Sequence, residues 1–309
     1  MDPKIIKLVQ TDYILTCIGP KISPQFLEKL TALLLEKKIT ICGSRTVAEI
    51  TIDCIAFSLM SEATVPPTYL VEILASLREI FGVDLVLQDA DDYASQKKLV
   101  VMDLDSTLVQ AEGIDELAKE AGVGEKVAQI TQRAMNGEMV FSDALRERVH
   151  LLKGLPVEIL QKVYERIIFT PGAIEFISTL RKKNYKTALL SGGFDCFANR
   201  YKENLNLDYA FSNRLEIKNN RLTGEVLGEI VDGQKKAFYM EEIARAEGIE
   251  LNQIVAIGDG ANDLPMIKKA GLGIAFNAKP AVRVAAPHMI TQRSLTGILY
   301  LLGIAEDEI

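Results

Sequence analysis

The sequence predicts an α/β protein: a doubly wound parallel sheet carrying a helical insertion, preceded by a smaller α+β module. Three observations predict it. Four short apolar runs, Leu99–Met102, Thr187–Leu190, Ile254–Ile257 and Gly273–Phe276, are bounded by Gly or Asp and separated by helical patterns, the arrangement of a parallel, Rossmann-like sheet buried on both faces. The stretch between the first two runs, Ile114 to Arg166, is mostly helical in pattern and far longer than one crossover helix requires, so it reads as a cap over the sheet's carboxyl edge. The first ninety or so residues have a different texture, with strand and helix patterns in the order β-α-β-β-α-β of a ferredoxin-like module.

Taken in order, Lys4 to Ile18 holds β-rich apolar runs. Pro24 to Ile39 places Phe26, Leu27, Leu30 and Leu34 at helical spacing, with Ser23 as a cap. Strand patterns follow at Ile39–Cys42 and Glu49–Ser58, a helix at Tyr69–Phe81 and a strand at Val83–Leu87, and the polar stretch Asp89 to Gln96 reads as a linker. The boundaries are therefore 1–92 for the front module and 93–309 for the larger unit, with the cap at about 112–168. A second insertion, Ala210 to Gly228, alternates as a strand pair around a tight turn at Asn219-Asn220. The helical pattern Ala237–Ala246 follows Lys235-Lys236.

Composition narrows the function classes. A chain of 309 residues with a formal net charge of −7 and no dense Lys/Arg run is a poor nucleic-acid binder, because phosphate backbones demand clustered positive charge. No stretch approaches the roughly 18 apolar residues of a membrane span. The N-terminus shows no charged-then-apolar leader. Cys17, Cys42, Cys54 and Cys196 form no CxxC pair, which fits free thiols in a reducing cytosol. The expectation is a cytoplasmic protein with a small-molecule substrate, no nucleic acid and no membrane.

The chemistry-bearing words sit at strand ends. Asp103-Leu104-Asp105-Ser106-Thr107-Leu108 directly follows the run Leu99–Met102, which puts two carboxylates at the edge where open α/β sheets bind ligands. Close carboxylates repel, so a bound cation would stabilise the pair, and Mg2+ prefers such hard oxygen donors. Read alone, the word has a second reading, an acidic turn that merely caps the next element. Gly258-Asp259-Gly260-Ala261-Asn262-Asp263 follows Ile254–Ile257 in the same manner. Ser191-Gly192-Gly193 offers a hydroxyl and open backbone N–H groups to an anion, or is a simple loop. Lys235-Lys236 offers a cation, or is a solvated pair. His150 and His288 lie away from these words and no GxxxxGK[ST] is present, which argues against a Ser-His-Asp mechanism and a P-loop.

The set DxDST, SGG, Lys and GDGxND, in that order, resembles the haloacid dehalogenase superfamily. Within it, the words DSTLVQAEGIDELA (Asp105–Ala118), LRERVHLLKGLP (Leu145–Pro156), LLSGGFD (Leu189–Asp195) and GDGANDLPMI (Gly258–Ile267) resemble the phosphoserine phosphatases, over the stretch from about Leu99 to the C-terminal region. The resemblance implies that Asp103 is a nucleophile forming an aspartyl phosphate and that Asp105 is the general acid and base. It implies Mg2+ on Asp103, Asp259 and the Asp105 backbone carbonyl. Ser191, Gly192 and Lys236 would hold the phosphoryl oxygens, Asn262 would meet the phosphate, and Asp263 would orient Lys236, chosen over Lys235 by its spacing from the helix. In the cap, Arg148 would grip the substrate carboxylate, Glu112 its ammonium, and Met135 and Phe141 would form apolar walls. Arg146 and Arg148 otherwise read as a solvated charged run. Another small phosphomonoester on the same core, or a degenerate core that only binds, remain the competing readings. The front module is similar to the small ACT-like regulatory modules of amino-acid enzymes. It would mediate homodimer formation or bind an amino acid such as serine.

Overall fold

The protein is described by a computed structural model, which describes residues 11–61 and 67–309. The front unit runs β1 (Tyr13–Gly19), α1 (Pro24–Glu36), β2 (Ile39–Ala48), β3 (Asp53–Ser61), α2 (Pro67–Phe81) and β4 (Asp84–Asp89), followed by α3 (Ala90–Ala94). Its sheet has the order β2-β3-β1-β4, with antiparallel pairing throughout. The part of the first strand reading that falls on Lys4 to Gln10 lies outside the described residues.

Two readings shift here. β2 runs on past Cys42 through Gly43-Ser44-Arg45-Thr46 to Ala48. It is an edge strand with bulges near Ile41 and Thr46, so this polar run needs no apolar face. Glu49 to Ile52 is consequently a turn rather than the start of β3. The connecting stretch Asp89 to Gln96 holds a short helix, α3, whose first turn carries Asp91 and Asp92, well matched to the positive end of the helix dipole.

The front sheet is buried on both sides. Tyr13, Leu15 and Cys17 of β1 pack with Phe26, Leu30 and Leu34 of α1. The intervening Ile14 and Ile18 join Tyr300, Leu301 and Ile304 of the C-terminal segment. A period-two strand can serve two cores in this way. Carboxylates fasten the seam. Asp84 accepts hydrogen bonds from Thr291 N at 2.7 Å, Thr291 Oγ1 at 2.8 Å and Gln292 N at 3.0 Å. Glu306 accepts from Glu49 N, Ile50 N and Thr51 N at 2.9–3.0 Å and from Thr51 Oγ1 at 2.7 Å.

The larger unit continues with β5 (Leu99–Met102), the cap helices α4 (Gly113–Glu120), α5 (Gly124–Met135), α6 (Phe141–His150) and α7 (Glu158–Arg166), then α8 (Ala173–Lys182), β6 (Lys186–Phe194), α9 (Asp195–Leu205), β7 (Tyr209–Lys218) and β8 (Arg221–Leu227). It ends with α10 (Gly233–Glu247), β9 (Ile254–Gly258), α11 (Leu264–Lys269), β10 (Leu272–Phe276), α12 (Pro280–Ala285), β11 (His288–Ile290) and α13 (Thr296–Leu301). The sheet order is β11-β10-β9-β5-β6-β7-β8, parallel except for the β7–β8 hairpin. β5, β9 and β10 are buried along their whole length.

Asn219 and Asn220 turn the hairpin with φ of 51° and 57°. The hairpin does more than the sequence suggests. β7 extends the main sheet beside β6, and β8 and the turn before it brace the cap through Gly154 N to Leu222 O at 2.8 Å and Val157 N to Asn220 O at 3.0 Å. Among the described residues, no helix is long and apolar enough to cross a membrane.

Candidate active site

Strand register builds the site. Met102 of β5 lies opposite Ile257 of β9 and Leu189 of β6. The residues that follow, Asp103, Gly258-Asp259 and Leu190-Ser191, therefore stand side by side at the sheet's carboxyl edge. β5 is flanked by β6 on one side and β9 on the other, the switch point where such sheets open a crevice. A cavity of about 680 Å³ lies there.

Carboxyl oxygens of Asp103, Asp259 and Asp263 all lie within 4.8 Å of one another. Lys236 is fully buried beneath them and donates to Asp103 Oδ1 at 2.7 Å and Asp263 Oδ1 at 2.6 Å. It lies inside α10 rather than before it, because Asp232 caps the helix by accepting from Lys235 N at 2.9 Å. In that first turn Lys236 faces inward, while Lys235 faces out to Glu229 and the Phe238 ring. The other oxygen of Asp263 accepts from Asp259 N at 3.1 Å and Gly260 N at 2.9 Å. Both oxygens of Asp263 are thus engaged, which makes it a strut for the cluster.

The electrostatics follow from burial. Burial and then the charge of Asp263 hold Asp103 well above the usual carboxylate range, against the pull of Lys236. Asp259 is pushed to about 7 by burial and by Asp263. Asp105 also rises to about 7, from burial and the charge of Glu112, although Gly113 N at the head of α4 donates to its Oδ1 at 2.9 Å. Burial alone would lower Lys236, but Asp103 and Asp263 outweigh it and hold it charged. Acidic oxygens in excess over buried positive charge are a donor set suited to a hard divalent cation.

The predicted residues converge. Asp103, Asp105, Asp259, Asn262 and Gly192 line the cavity from the sheet side. Glu112, Met135, Phe141 and Arg148 line it from the cap side. Met135 is 63% exposed, so its wall lies at the rim. Ser191 and Lys236 are fully buried below the surface, and Ser191 Oγ accepts from Gly193 N at 2.9 Å. Cap and sheet meet where a Cβ on Gly192 would stand 2.9 Å from Phe141 Cζ, so a side chain at that position would push the Phe141 ring aside.

Other residues complete the site that the sequence did not single out. Thr107 Oγ1 donates to Asp259 Oδ1 at 3.4 Å, and Ser106, at φ 59°, donates from Oγ to Glu112 Oε1 at 2.8 Å. Both stand inside the DxDST word, which was the available signal. Asn213 is buried on β7, donates to Gly192 O at 2.9 Å and accepts from Val231 N at 2.8 Å. Nothing local in the sequence marks it.

Comparison with known proteins agrees with this geometry. Residues 100–268 match the family model of haloacid dehalogenase-like hydrolases. A phosphoserine phosphatase of Archaeoglobus fulgidus is 54% identical over 229 residues, 74% of this chain and 67% of that protein. A haloacid dehalogenase family hydrolase of Salmonella enterica subsp. enterica serovar Typhi superposes with a TM-score of 0.85 at 33% identity, covering 97% of this chain and 100% of that one. A phospho-aspartyl intermediate analogue of phosphoserine phosphatase superposes with a TM-score of 0.63 at 51% identity, covering 67% of this chain and 99% of that one. The chain belongs to the haloacid dehalogenase-like hydrolase family, among the phosphoserine phosphatases.

Proposed function

We propose that the protein hydrolyses O-phospho-L-serine to L-serine and phosphate through a phosphoaspartate on Asp103, the last step of serine formation. The observation that carries this reading is the joining of two sites in one cavity: an acidic cluster with Asp103 at its head, and, on the cap, an arginine and a glutamate. Phosphate chemistry matches the first. The carboxylate and ammonium of an amino acid match the second.

Asp103 attacks phosphorus, the P–O ester bond breaks, and its electron pair goes to the serine oxygen, which takes a proton from Asp105. Water then attacks the phosphoaspartate, Asp105 takes a proton from that water, and phosphate leaves with Asp103 restored. A carboxyl group poised near 7 suits both roles of Asp105. Lys236, with Ser191 and Gly192, holds the phosphoryl oxygens, Asn262 meets the phosphate, and Asp263 keeps Lys236 aimed. Mg2+ would be held by Asp103, Asp259 and the Asp105 main chain, where it supplies charge neutralisation as one anion approaches another. In the cap, Arg148 binds the substrate carboxylate and Glu112 its ammonium, between Met135 and Phe141.

The same reading divides the chain at 92/93. It gives the front unit a ferredoxin-like, ACT-like interaction role, with homodimer formation or amino-acid binding as its work, in a cytoplasmic enzyme with no nucleic-acid or membrane partner.

The test is phosphate release from phosphoserine with and without Mg2+, beside phosphothreonine, p-nitrophenyl phosphate and the Asp103→Asn variant. The expected outcome is Mg2+-dependent release that favours phosphoserine and falls by about four orders of magnitude or more in the variant. Equal turnover of esters without a carboxylate would overturn the substrate assignment. Near-normal activity of Asp103→Asn would overturn the nucleophile.

A further inference from the structure

The Arg148 guanidinium is held at two points. Its Nε donates to Ala144 O at 3.2 Å, one turn back along α6. Its Nη1 donates across to Thr131 Oγ1 on α5 at 3.3 Å. Among the described residues these are the hydrogen bonds it makes, so one N–H of Nη1 and both of Nη2 remain for a ligand.

Thr131 is committed in a particular direction. Its hydroxyl donates to Val127 O at 3.0 Å. A hydroxyl carries a single proton, so with that proton spent on its own helix, Oγ1 faces Arg148 as an acceptor only. A neutral acceptor orients a guanidinium without cancelling its charge. The two nearby anions whose charges act on Arg148, Asp115 and Glu112, make no hydrogen bond to it among the described residues. A carboxylate in the place of Thr131 would instead occupy the fork. Thr131 and Arg148 line the same cavity as Asp103.

We infer that Thr131 is a positioning residue for substrate selection: its hydroxyl oxygen fixes the Arg148 guanidinium so that the free fork faces the carboxylate of an amino-acid phosphomonoester. The inference rests on the reading of Arg148 given above. Thr and Ser hydroxyls bond back along helices for structural reasons alone, so the readout must be one that a structural role leaves unmoved.

Thr131→Val keeps the shape and removes the acceptor, whereas Thr131→Ser keeps the acceptor. A lost hydrogen bond to a charged group predicts that Thr131→Val raises KM for phosphoserine about tenfold, leaves kcat within about twofold, and leaves KM for p-nitrophenyl phosphate within about twofold. Thr131→Ser is expected to restore the phosphoserine KM. If Thr131→Val does not fold, Thr131→Ala carries the same expectations. An unchanged phosphoserine KM, or an equal rise for both substrates, would overturn the inference. Arg148→Ala, measured in parallel, separates the two levels. If it fails to distinguish the substrates, the Arg148 reading itself falls. If it distinguishes them and Thr131→Val does not, only the role of Thr131 falls.

Discussion

The catalytic sheet carries two appendages that share its apolar core, and they differ in whether they leave a cavity. The cap packs apolar side chains such as Leu117, Val149 and Leu152 into the core of the sheet, and it leaves a cavity at the carboxyl edge, where Gly113 N donates to Asp105 and the β7–β8 hairpin braces the cap. The front unit meets the C-terminal segment through an apolar seam, Ile14 and Ile18 against Tyr300 and Ile304, fastened by Asp84 and Glu306 without a cavity described between them. An apolar seam of this kind is stabilised in proportion to the area it removes from water. A junction that keeps a cavity presents side chains to a ligand instead. The cap thus leaves room for a ligand, and the front unit packs as part of the folded body.

The most severe test of that contrast buries a charge in the seam. Ile14→Asp places an unpaired carboxylate in an apolar site and is expected to cost about 3–5 kcal/mol. Calorimetry should show a single transition, moved down by several degrees, because seam and sheet share one core. Two separate transitions, with loss of activity tracking the unshifted one, would mean that the front unit is an independent body.

A smaller effect, confined to function, is expected in the cap. Arg148→Ala should lower kcat/KM for phosphoserine about a hundredfold through lost charge-assisted hydrogen bonds, about 2–3 kcal/mol. Its melting temperature should stay close to that of the parent, since the guanidinium has few internal partners. A large drop in melting temperature would instead show the cap to be held together by this residue.

Glu306→Gln is the mildest probe. Burial would raise the Glu306 carboxyl, but the hydrogen bonds from Thr51, Ile50 and Glu49 outweigh it and hold the pKa at about 2, below the ordinary 4.5. A depressed carboxyl pKa contributes stability that is present above about pH 4.5 and is lost as pH falls through 2. The variant should melt slightly below the parent at neutral pH, by about 1 kcal/mol. The difference should shrink as pH falls from 4.5 toward 2. A difference that persists unchanged across that range would show that the clamp does not depend on ionised Glu306.

Much of the site was legible because its words are local. A buried run followed at once by acids, as at Asp103 and Asp259, needs no knowledge of neighbours to be read. The cap was legible as an excess of helix between Leu99–Met102 and Thr187–Leu190. The choice of Lys236 rested on spacing, and the face of α10 that carries it inward depends on where Asp232 starts the helix. Asn213 and Thr131 were not legible, since each acts on a residue from another element and neither stands in a recognisable word. The helix α3 within the connecting stretch was not legible because it is short and polar, and its neighbour Lys97 is anchored by Asn252 O at 2.8 Å, far away in the chain.

By itself the sequence determined the parallel α/β core, the chemistry-bearing words and their order, because hydrophobic period and strand-end acids are written residue by residue. Only the tertiary structure decided that Met102, Ile257 and Leu189 stand in register, that the front sheet serves two cores, and that Thr131 faces Arg148. Those facts depend on pairings between distant segments, whose energies reside in no single stretch of the chain.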